Sequence, residues 1–359
     1  MRVGILTGGG DCPGLNAVIR AAAKTLLARG VEVIGFKDGY RGVIRRDWIP
    51  LERAAISGLL HRGGTILGTN NRDNPFRYPV ATSGGKTTYR DATPTLLENL
   101  RSLNLDAVIV IGGDGTLSIA RELTEKGAPL VGVPKTIDND LAATDRTFGF
   151  DTAVATATEA LDRLHTTAES HHRVMVLEVM GRYAGWIALW SGIAGGADVI
   201  LIPEIPWRLE KIVAKIKERQ EEGKMFSIIV VAEGTPAPGG RRVVRERIKG
   251  SGDPVRLGGI GQVVGEMIER ETGIETRVTV LGHIQRGGSP SPLDRVLATR
   301  FGVAAAELAL ERRTGFMVAL KGEEIAAVPL AEATRQLRRV PPESQLVQAA
   351  RAIGISFGD

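Results

Sequence analysis

A chain of 359 residues has room for two domains of ordinary size, each with a sizeable core. Its 46 Lys and Arg against 41 Asp and Glu leave a net +5, a mild basic excess that suits anionic small molecules and, with no aromatic-interleaved basic stripe, gives no reason to expect nucleic acid. The single cysteine, Cys12, excludes an internal disulfide framework and fits a reducing compartment.

Val3-Gly4-Ile5-Leu6 reads as a strand at the very start, with no long apolar segment or cleavage-like site, so no signal peptide is expected. It opens into Thr7-Gly8-Gly9-Gly10-Asp11-Cys12-Pro13-Gly14 and a helix whose apolar face holds Leu15, Val18, Ile19, Ala22 and Leu26. Pro13 stands where a dinucleotide fingerprint has its third glycine and no acidic residue sits at the usual distance, so a polyphosphate loop is the better reading. Cys12 reads as a small buried thiol. The stretch Arg62-Gly63-Gly64-Thr65-Ile66-Leu67-Gly68-Thr69-Asn70-Asn71-Arg72 ends in an arginine that is either a phosphate clamp or a solvated loop cation; its glycine-rich context favours the clamp. Ser83-Gly84-Gly85-Lys86-Thr87 only imitates a P-loop, because position 80 is Val80 where glycine is needed, and an exposed loop is expected.

Ala107-Val108-Ile109-Val110-Ile111 and Leu130-Val131-Gly132-Val133 are the apolar, β-branched runs of buried parallel strands. Gly112-Gly113-Asp114-Gly115-Thr116 follows the first and Pro134-Lys135-Thr136-Ile137-Asp138-Asn139-Asp140 the second, so both clusters sit at strand C-terminal ends, where open α/β sheets bind ligands. The glycines let backbone approach a phosphate, and a helix starting near Thr116 offers unpaired N–H groups to an anion. Asp114 aims a carboxylate at polyphosphate, which makes sense with a divalent cation between them; magnesium fits. Asp138 is placed to take a proton from an attacking hydroxyl, and phosphoryl transfer asks for positioning, charge neutralisation and such a base. Alone, either cluster also reads as a turn with solvated carboxylates; together they read as a phosphate and metal site.

The alternation continues with a helical stretch at 151–166, a strand at Arg173–Val179, the turn Met180-Gly181-Arg182-Tyr183-Ala184-Gly185-Trp186, a strand at Asp198–Ile202, a helical stretch at 208–222, and a strand at Phe226–Ala232 ending at Glu233. Trp186–Pro203 is the one stretch resembling a membrane span, but its glycines, Ser191 and Asp198 read as helix, turn and strand; no membrane partner is expected. Residues 236–259 break the pattern with prolines, glycines and alternating charge, as a surface insertion would. A helix near 259–271, a strand at Arg277–Leu281, the turn Gly282-His283-Ile284-Gln285-Arg286-Gly287-Gly288-Ser289-Pro290, a helix at Pro292–Arg312, a strand at Phe316–Leu320 and an amphipathic tail complete the chain. His283 and Arg286 at a strand end can grip a sugar phosphate, although His283 alone reads as structural. The whole predicts an α/β fold of two Rossmann-like three-layer domains, with mostly parallel sheets and the active site in the cleft between them.

These motifs, in this order, resemble those of 6-phosphofructokinase over nearly the whole chain, with the segments at 136–140 and 282–288 the most specific. The resemblance implies transfer of the γ-phosphoryl group of ATP to the C1 hydroxyl of fructose 6-phosphate, with Mg2+, in the cytoplasm. It implies that Asp138 is the base, with Thr136 and Ile137 beside it; that Asp114 holds the metal; and that Gly9, Gly10, Arg72, Gly113, Asp114, Gly115 and Thr116 line the donor site. Arg182 would meet the transferring group together with Arg72. Met180, Gly181, Glu233, His283, Ile284, Gln285 and Arg286 would hold the sugar phosphate, and Arg173 and Arg277 would reach its 6-phosphate from a neighbouring subunit of a dimer or tetramer. The implied division is 1–150 plus about 275–320 for the donor domain, 151–274 for the sugar-phosphate domain with its insertion, and 321–359 as a tail packing on both.

The donor-specificity positions disagree. Pyrophosphate-using relatives carry aspartate at position 115 and lysine at 135, whereas familiar bacterial ATP enzymes carry glycine at both; this chain has Gly115 with Lys135, resembling the mixed-substrate group. An aspartate at 115 would clash with the α-phosphate of a nucleotide, while Lys135 excludes neither donor, so ATP is the reading and pyrophosphate the alternative. Counterparts of the family's effector-site residues would be Arg20, Lys24, Arg53, His165 and Asp198, equally readable as ordinary surface charges. Remoter alternatives are another kinase with a Gly-Gly-Asp-Gly-Thr loop, or a non-catalytic effector-binding subunit.

Overall fold

The computed structural model describes residues 1–83, 86–247 and 255–359. Runs of β-branched residues become strands and the amphipathic stretches between them become helices, in the order β1 (Arg2–Thr7), α1 (Leu15–Leu27), β2 (Glu32–Phe36), α2 (Tyr40–Arg45), β3 (Trp48–Pro50), the hairpin of β4 (Tyr78–Ser83) and β5 (Lys86–Arg90), α3 (Thr93–Ser102), β6 (Ala107–Gly112), α4 (Asp114–Glu125) and β7 (Leu130–Pro134). There follow α5 (Phe150–His171), β8 (Val174–Val179), α6 (Trp186–Ala194), β9 (Val199–Leu201), α7 (Leu209–Glu221), β10 (Ser227–Ala232), a ribbon of β11 (Val244–Arg247) and β12 (Val255–Leu257), α8 (Ile260–Thr272) and β13 (Thr276–Val280). The chain closes with α9 (Pro292–Leu310), β14 (Phe316–Lys321), β15 (Glu324–Pro329), α10 (Leu330–Ala333) and α11 (Gln345–Ala352).

The first sheet has the order β15-β14-β7-β6-β1-β2-β3. Its five central strands are parallel and its two edge strands antiparallel. Every residue of β6 is buried; Ala107, Ile109 and Ile111 enter one core, and Val108 and Val110 another, as a strand covered by helices on both faces must do. From β1 the chain crosses through α1 to β2 on one side, while β6 pairs with β1 on the other. The loops after β1 and β6 therefore part at a topological switch point, where an α/β sheet opens a binding crevice.

The second sheet, β13-β8-β10-β9, is parallel throughout. Val174 and Val176 of β8 point into a core of their own, and Met175, Leu177 and Val179 into a core shared with the first sheet. The strand ends of both sheets open on one cleft: Arg286, after β13, donates to Asp11 O at 3.1 Å, and Ser289 Oγ donates to His61 O at 2.7 Å. Between the halves, Asp294 of α9 accepts from Thr152 N at 2.8 Å and Thr152 Oγ1 at 2.6 Å, pinning the start of α9 to the start of α5.

Two expectations need correction. The strand after residue 275 does not return to the first sheet: β13 pairs with β8, Thr276 opposite Val174, as an edge strand of the second sheet, and the return is made by α9 and β14. Residues 321–359 are more than a packing tail, because β15 forms an edge of the first sheet and Ser356 bridges to Val199 in the second. The stretch Trp186–Pro203 is helix, turn and strand, and no helix among the described residues is long and apolar enough to cross a membrane. Cys12 is fully buried against Phe148 O, and burial pushes its thiol up. Of the insertion expected at 236–259, residues 248–254 lie outside the described residues, as do residues 84 and 85 of the expected exposed loop.

Candidate active site

One wall of the cleft is built by loops at the switch point. α4 begins at Asp114, two residues earlier than expected, with Gly113 at its cap, so its first N–H groups face the crevice without intrahelical partners. Gly8 N donates to Ile111 O at 2.9 Å and locks the two loops together. The glycine-rich stretch runs alongside: Gly9 N donates to Asn70 O at 3.1 Å and Thr69 Oγ1 to Gly9 O at 2.6 Å. Arg72 is exposed at the rim, its backbone N–H on Asn70 Oδ1 at 2.7 Å. A Cβ on Gly10 would lie 2.6 Å from Arg286 Nη1, so a side chain there would displace the guanidinium from its place across the loop. Lys135, only 3% exposed, donates through Nζ to Gly10 O, and burial lowers its pKa to about 8. Thr116 is buried behind Gly8, whereas Gly115 is exposed and a Cβ there would meet nothing within 4 Å.

The acidic loop follows β7. Thr136 Oγ1 accepts from Asp138 N at 3.1 Å and donates to Asp138 Oδ2 at 3.2 Å, which fixes the carboxylate. Behind it, Thr147 donates through N to Asn139 Oδ1 at 3.0 Å and through Oγ1 to Thr136 O at 2.7 Å. This bracing holds Asn139 in the left-handed region at φ 53°, which asparagine tolerates better than most residues. Asp138 is buried, and its Oδ1 has no hydrogen-bond partner among the described residues. Asp140 is buried as well; burial first, then the charges of Asp138 and Asp114, raise its pKa. Burial also raises Asp114, against the opposing pull of Arg182 and then Arg121. A buried carboxylate oxygen without a partner costs several kcal/mol unless a cation or proton meets it.

The opposite wall comes from the second sheet. Arg182 sits at φ 53° in the turn after β8, its N–H donating to Glu233 Oε1 at 3.2 Å. A Cβ on Gly234 would fall 1.7 Å from Arg182 O, so the turn closes only against glycine. Burial and then the charge of Asp138 push Glu233 up to about 8. Met180 N donates to Gln285 Oε1 at 2.8 Å, joining the ends of β8 and β13. Gly181 lies in the same turn, also at positive φ.

The other expected residues lie at different depths and at different ends of the strands. The side chains of Ile137 and Gln285 are fully buried: Ile137 fills the core, and Gln285 accepts from Met180 N through Oε1 while its Nε2 has no hydrogen-bond partner among the described residues. His283 and Ile284 are exposed, Ile284 by 67%. Arg173 and Arg277 lie at the N-terminal ends of β8 and β13, away from this chain's own cleft, on either side of Glu275; the Arg173 Nε to Glu275 Oε2 distance is 2.7 Å. Arg20 is half-buried, and Lys24 and Arg53 are exposed. His165 is on Gly195 O at 2.7 Å, and Asp198 is held by Ile228 N at 2.8 Å and Arg219 at 2.7 Å.

Three supporting residues escaped the sequence reading. Asn16, 1% exposed, donates to Arg62 O and Gly63 O and accepts from Ile66 N, shaping the glycine-rich stretch; it lies in the first glycine motif, which was a usable signal. Thr147 and Arg338 act on the acidic loop from sites that no local pattern marks.

Glycine loops at a switch point, facing carboxylates and arginines from a second parallel sheet, are the parts of an α/β phosphotransferase with its site between two Rossmann-like halves. Comparison with known proteins supplies the family. The family model described as Phosphofructokinase matches residues 2–309, and the chain belongs to that family. It is 56% identical, over 100% of its length and 98% of the relative's, to ATP-dependent 6-phosphofructokinase 2 of Clostridium perfringens. It is 54% identical, over 96% of its length and 97% of the relative's, to a pyrophosphate–fructose 6-phosphate 1-phosphotransferase of Amycolatopsis methanolica. Among solved structures, Pichia pastoris phosphofructokinase superimposes with a TM-score of 0.79 at 29% identity, covering 98% of this chain, which spans 38% of that longer one.

Proposed function

We propose that the protein is an ATP-dependent 6-phosphofructokinase of glycolysis, moving the γ-phosphoryl group of ATP to the C1 hydroxyl of fructose 6-phosphate to give fructose 1,6-bisphosphate. The observation that carries this reading is Asp138, its Oδ2 fixed by Thr136 and its buried Oδ1 left open, between phosphate loops on one side and Arg182 with Glu233 on the other. Asp138 takes the proton of the C1 hydroxyl as that oxygen attacks phosphorus. The loops at Gly9, Gly10 and Gly113 to Thr116 hold the donor phosphates, with Arg72 at the rim. Arg182 balances charge on the group in transit, and Met180, Gly181, Glu233, His283 and Arg286 hold the sugar phosphate.

Asp114, at the start of α4 and raised by burial, is a hard carboxylate short of positive charge and would hold a magnesium ion together with the donor phosphates; the described residues form no cage of three carboxylates, and the open Asp138 Oδ1 is kept for the proton. When bound, such an ion supplies neutralisation of charge on the polyphosphate. ATP is supported as donor by the open space at Gly115 and by the relatives named ATP-dependent. Pyrophosphate is the second reading, favoured by Lys135 over the donor loop and by the Amycolatopsis relative.

The lie of Arg173 and Arg277 away from their own cleft supports a homo-oligomer in which each sugar-phosphate site borrows them from a neighbour. The strand pairing supports a donor domain of about 1–149 plus 292–333 and a sugar-phosphate domain of about 150–291. A cytoplasmic location accords with the lone reduced Cys12. The test is product identity: purified protein with ATP, Mg2+ and fructose 6-phosphate, followed by phosphorus NMR, is expected to yield fructose 1,6-bisphosphate and ADP. ATP consumption without a new C1 phosphate ester would overturn the proposal.

A further inference from the structure

The segment 337–340, beyond the stretch that the family model matches, runs from the acidic loop of the first half to the start of α6 in the second. On the acidic loop, Leu337 pairs as a β-bridge with Leu141, Arg338 N donates to Asp140 O at 2.7 Å, and Arg338 Nη1 donates to Asn139 O at 3.3 Å. On the other wall, the Arg338 guanidinium lies 4.3 Å from the centre of the Trp186 ring, and Trp186 Nε1 donates back to Arg338 O at 3.0 Å. Two residues on, Val340 N donates to Glu204 Oε1 at 3.0 Å, and the same carboxylate accepts from Gly185 N at 3.0 Å, where α6 begins.

The two points held are the ones the chemistry needs held. Asn139 adjoins Asp138 and sits in a left-handed conformation; Trp186 opens α6 directly after the turn that presents Arg182. We propose that Arg338 is a positioning residue for phosphoryl transfer, its side chain fixing the separation between the Asp138 loop and the Arg182 turn; this rests on the reaction proposed above. A half-buried arginine is suited to this, because one planar group donates to a carbonyl with its edge while its face stacks on an indole. The backbone hydrogen bonds of the strap do not depend on the side chain, so its removal loosens the spacing without releasing the segment.

The test compares Arg338→Met, which keeps the stem but loses edge and face, with Arg338→Lys, which keeps a cation able to reach Asn139 O. Arg338→Met is expected to lower kcat on the order of tenfold, the scale on which misplacement of reacting groups is felt, with the KM for fructose 6-phosphate within about threefold of the parent. Arg338→Lys is expected to recover most of that loss. In hydrogen–deuterium exchange, Arg338→Met is expected to speed exchange across residues 138–148 while leaving β8 and β6 unchanged. Unchanged exchange in that loop would overturn the proposal, and so would faster exchange at unaltered kcat, the mark of a merely structural contact. An inactive parent would overturn the proposed reaction and this positioning role with it, whereas an active parent whose kcat Arg338→Met leaves unaltered would overturn the positioning role alone.

Discussion

The Asp138 carboxylate is held at one oxygen and left open at the other, the condition a general base requires. Asparagine has the same shape and can keep the Thr136 contact, but it cannot take a proton. Asp138→Asn is therefore expected to lower kcat on the order of 10²-fold or more while fructose 6-phosphate still binds, as measured by steady-state rates and calorimetric titration; near-normal turnover would remove Asp138 from its role. Gly115 is the complementary case. Nothing crowds the space a side chain would take, and an acid in the first turn of α4 suits the helix dipole, so Gly115→Asp is expected to fold with stability changed by less than about 0.5 kcal/mol. Its KM for ATP is expected to rise on the order of tenfold through like-charge repulsion at the nucleotide phosphates; an unchanged KM would mean that position 115 does not choose the donor.

At the scale of elements, α5 and α9 meet through Asp294, a fully buried carboxyl whose pKa burial raises from 3.8 to about 6 despite the Thr152 hydrogen bonds. The folded protein thus keeps this proton over a range where the unfolded chain has released it. Stability contributed here is complete below pH 3.8, falls as pH rises to about 6 and is flat above. Asp294→Asn, neutral at every pH, is expected to show a shallower decline in urea midpoint than the parent between pH 4 and 6; parallel curves would contradict the assignment. Elements of this kind also mark how far the sequence could be read. The β-branched runs, the glycine turns and the acidic loop were legible because each is specified within a few neighbouring residues. Which sheet receives β13 was not, since alternation marks a strand but not its partner, and the pairing of Thr276 with Val174 spans about a hundred residues. The inward turn of Gln285 and the reach of Arg338 to Asn139 depend on the assembled cleft in the same way.

At the scale of the molecule, two mostly parallel sheets turn their strand ends to one cleft while Arg173 and Arg277 stand at the far end of the second sheet, paired to Glu275. A shared site makes a prediction about mixtures. Asp138→Asn and Arg173→Ala subunits, each nearly inactive alone, are expected to regain activity after unfolding and refolding together, because some hybrid sites then combine an intact Asp138 with a neighbour's intact Arg173. Self-contained sites would give no recovery. The central claim, that this cleft passes a phosphoryl group from ATP to fructose 6-phosphate, is tested most directly by initial rates with fructose 6-phosphate and magnesium, comparing ATP with pyrophosphate. Turnover with ATP and little or none with pyrophosphate is the predicted result, with Gly115 setting the donor. Turnover with pyrophosphate and none with ATP would contradict it and give Lys135 the deciding part in a reversible phosphotransferase.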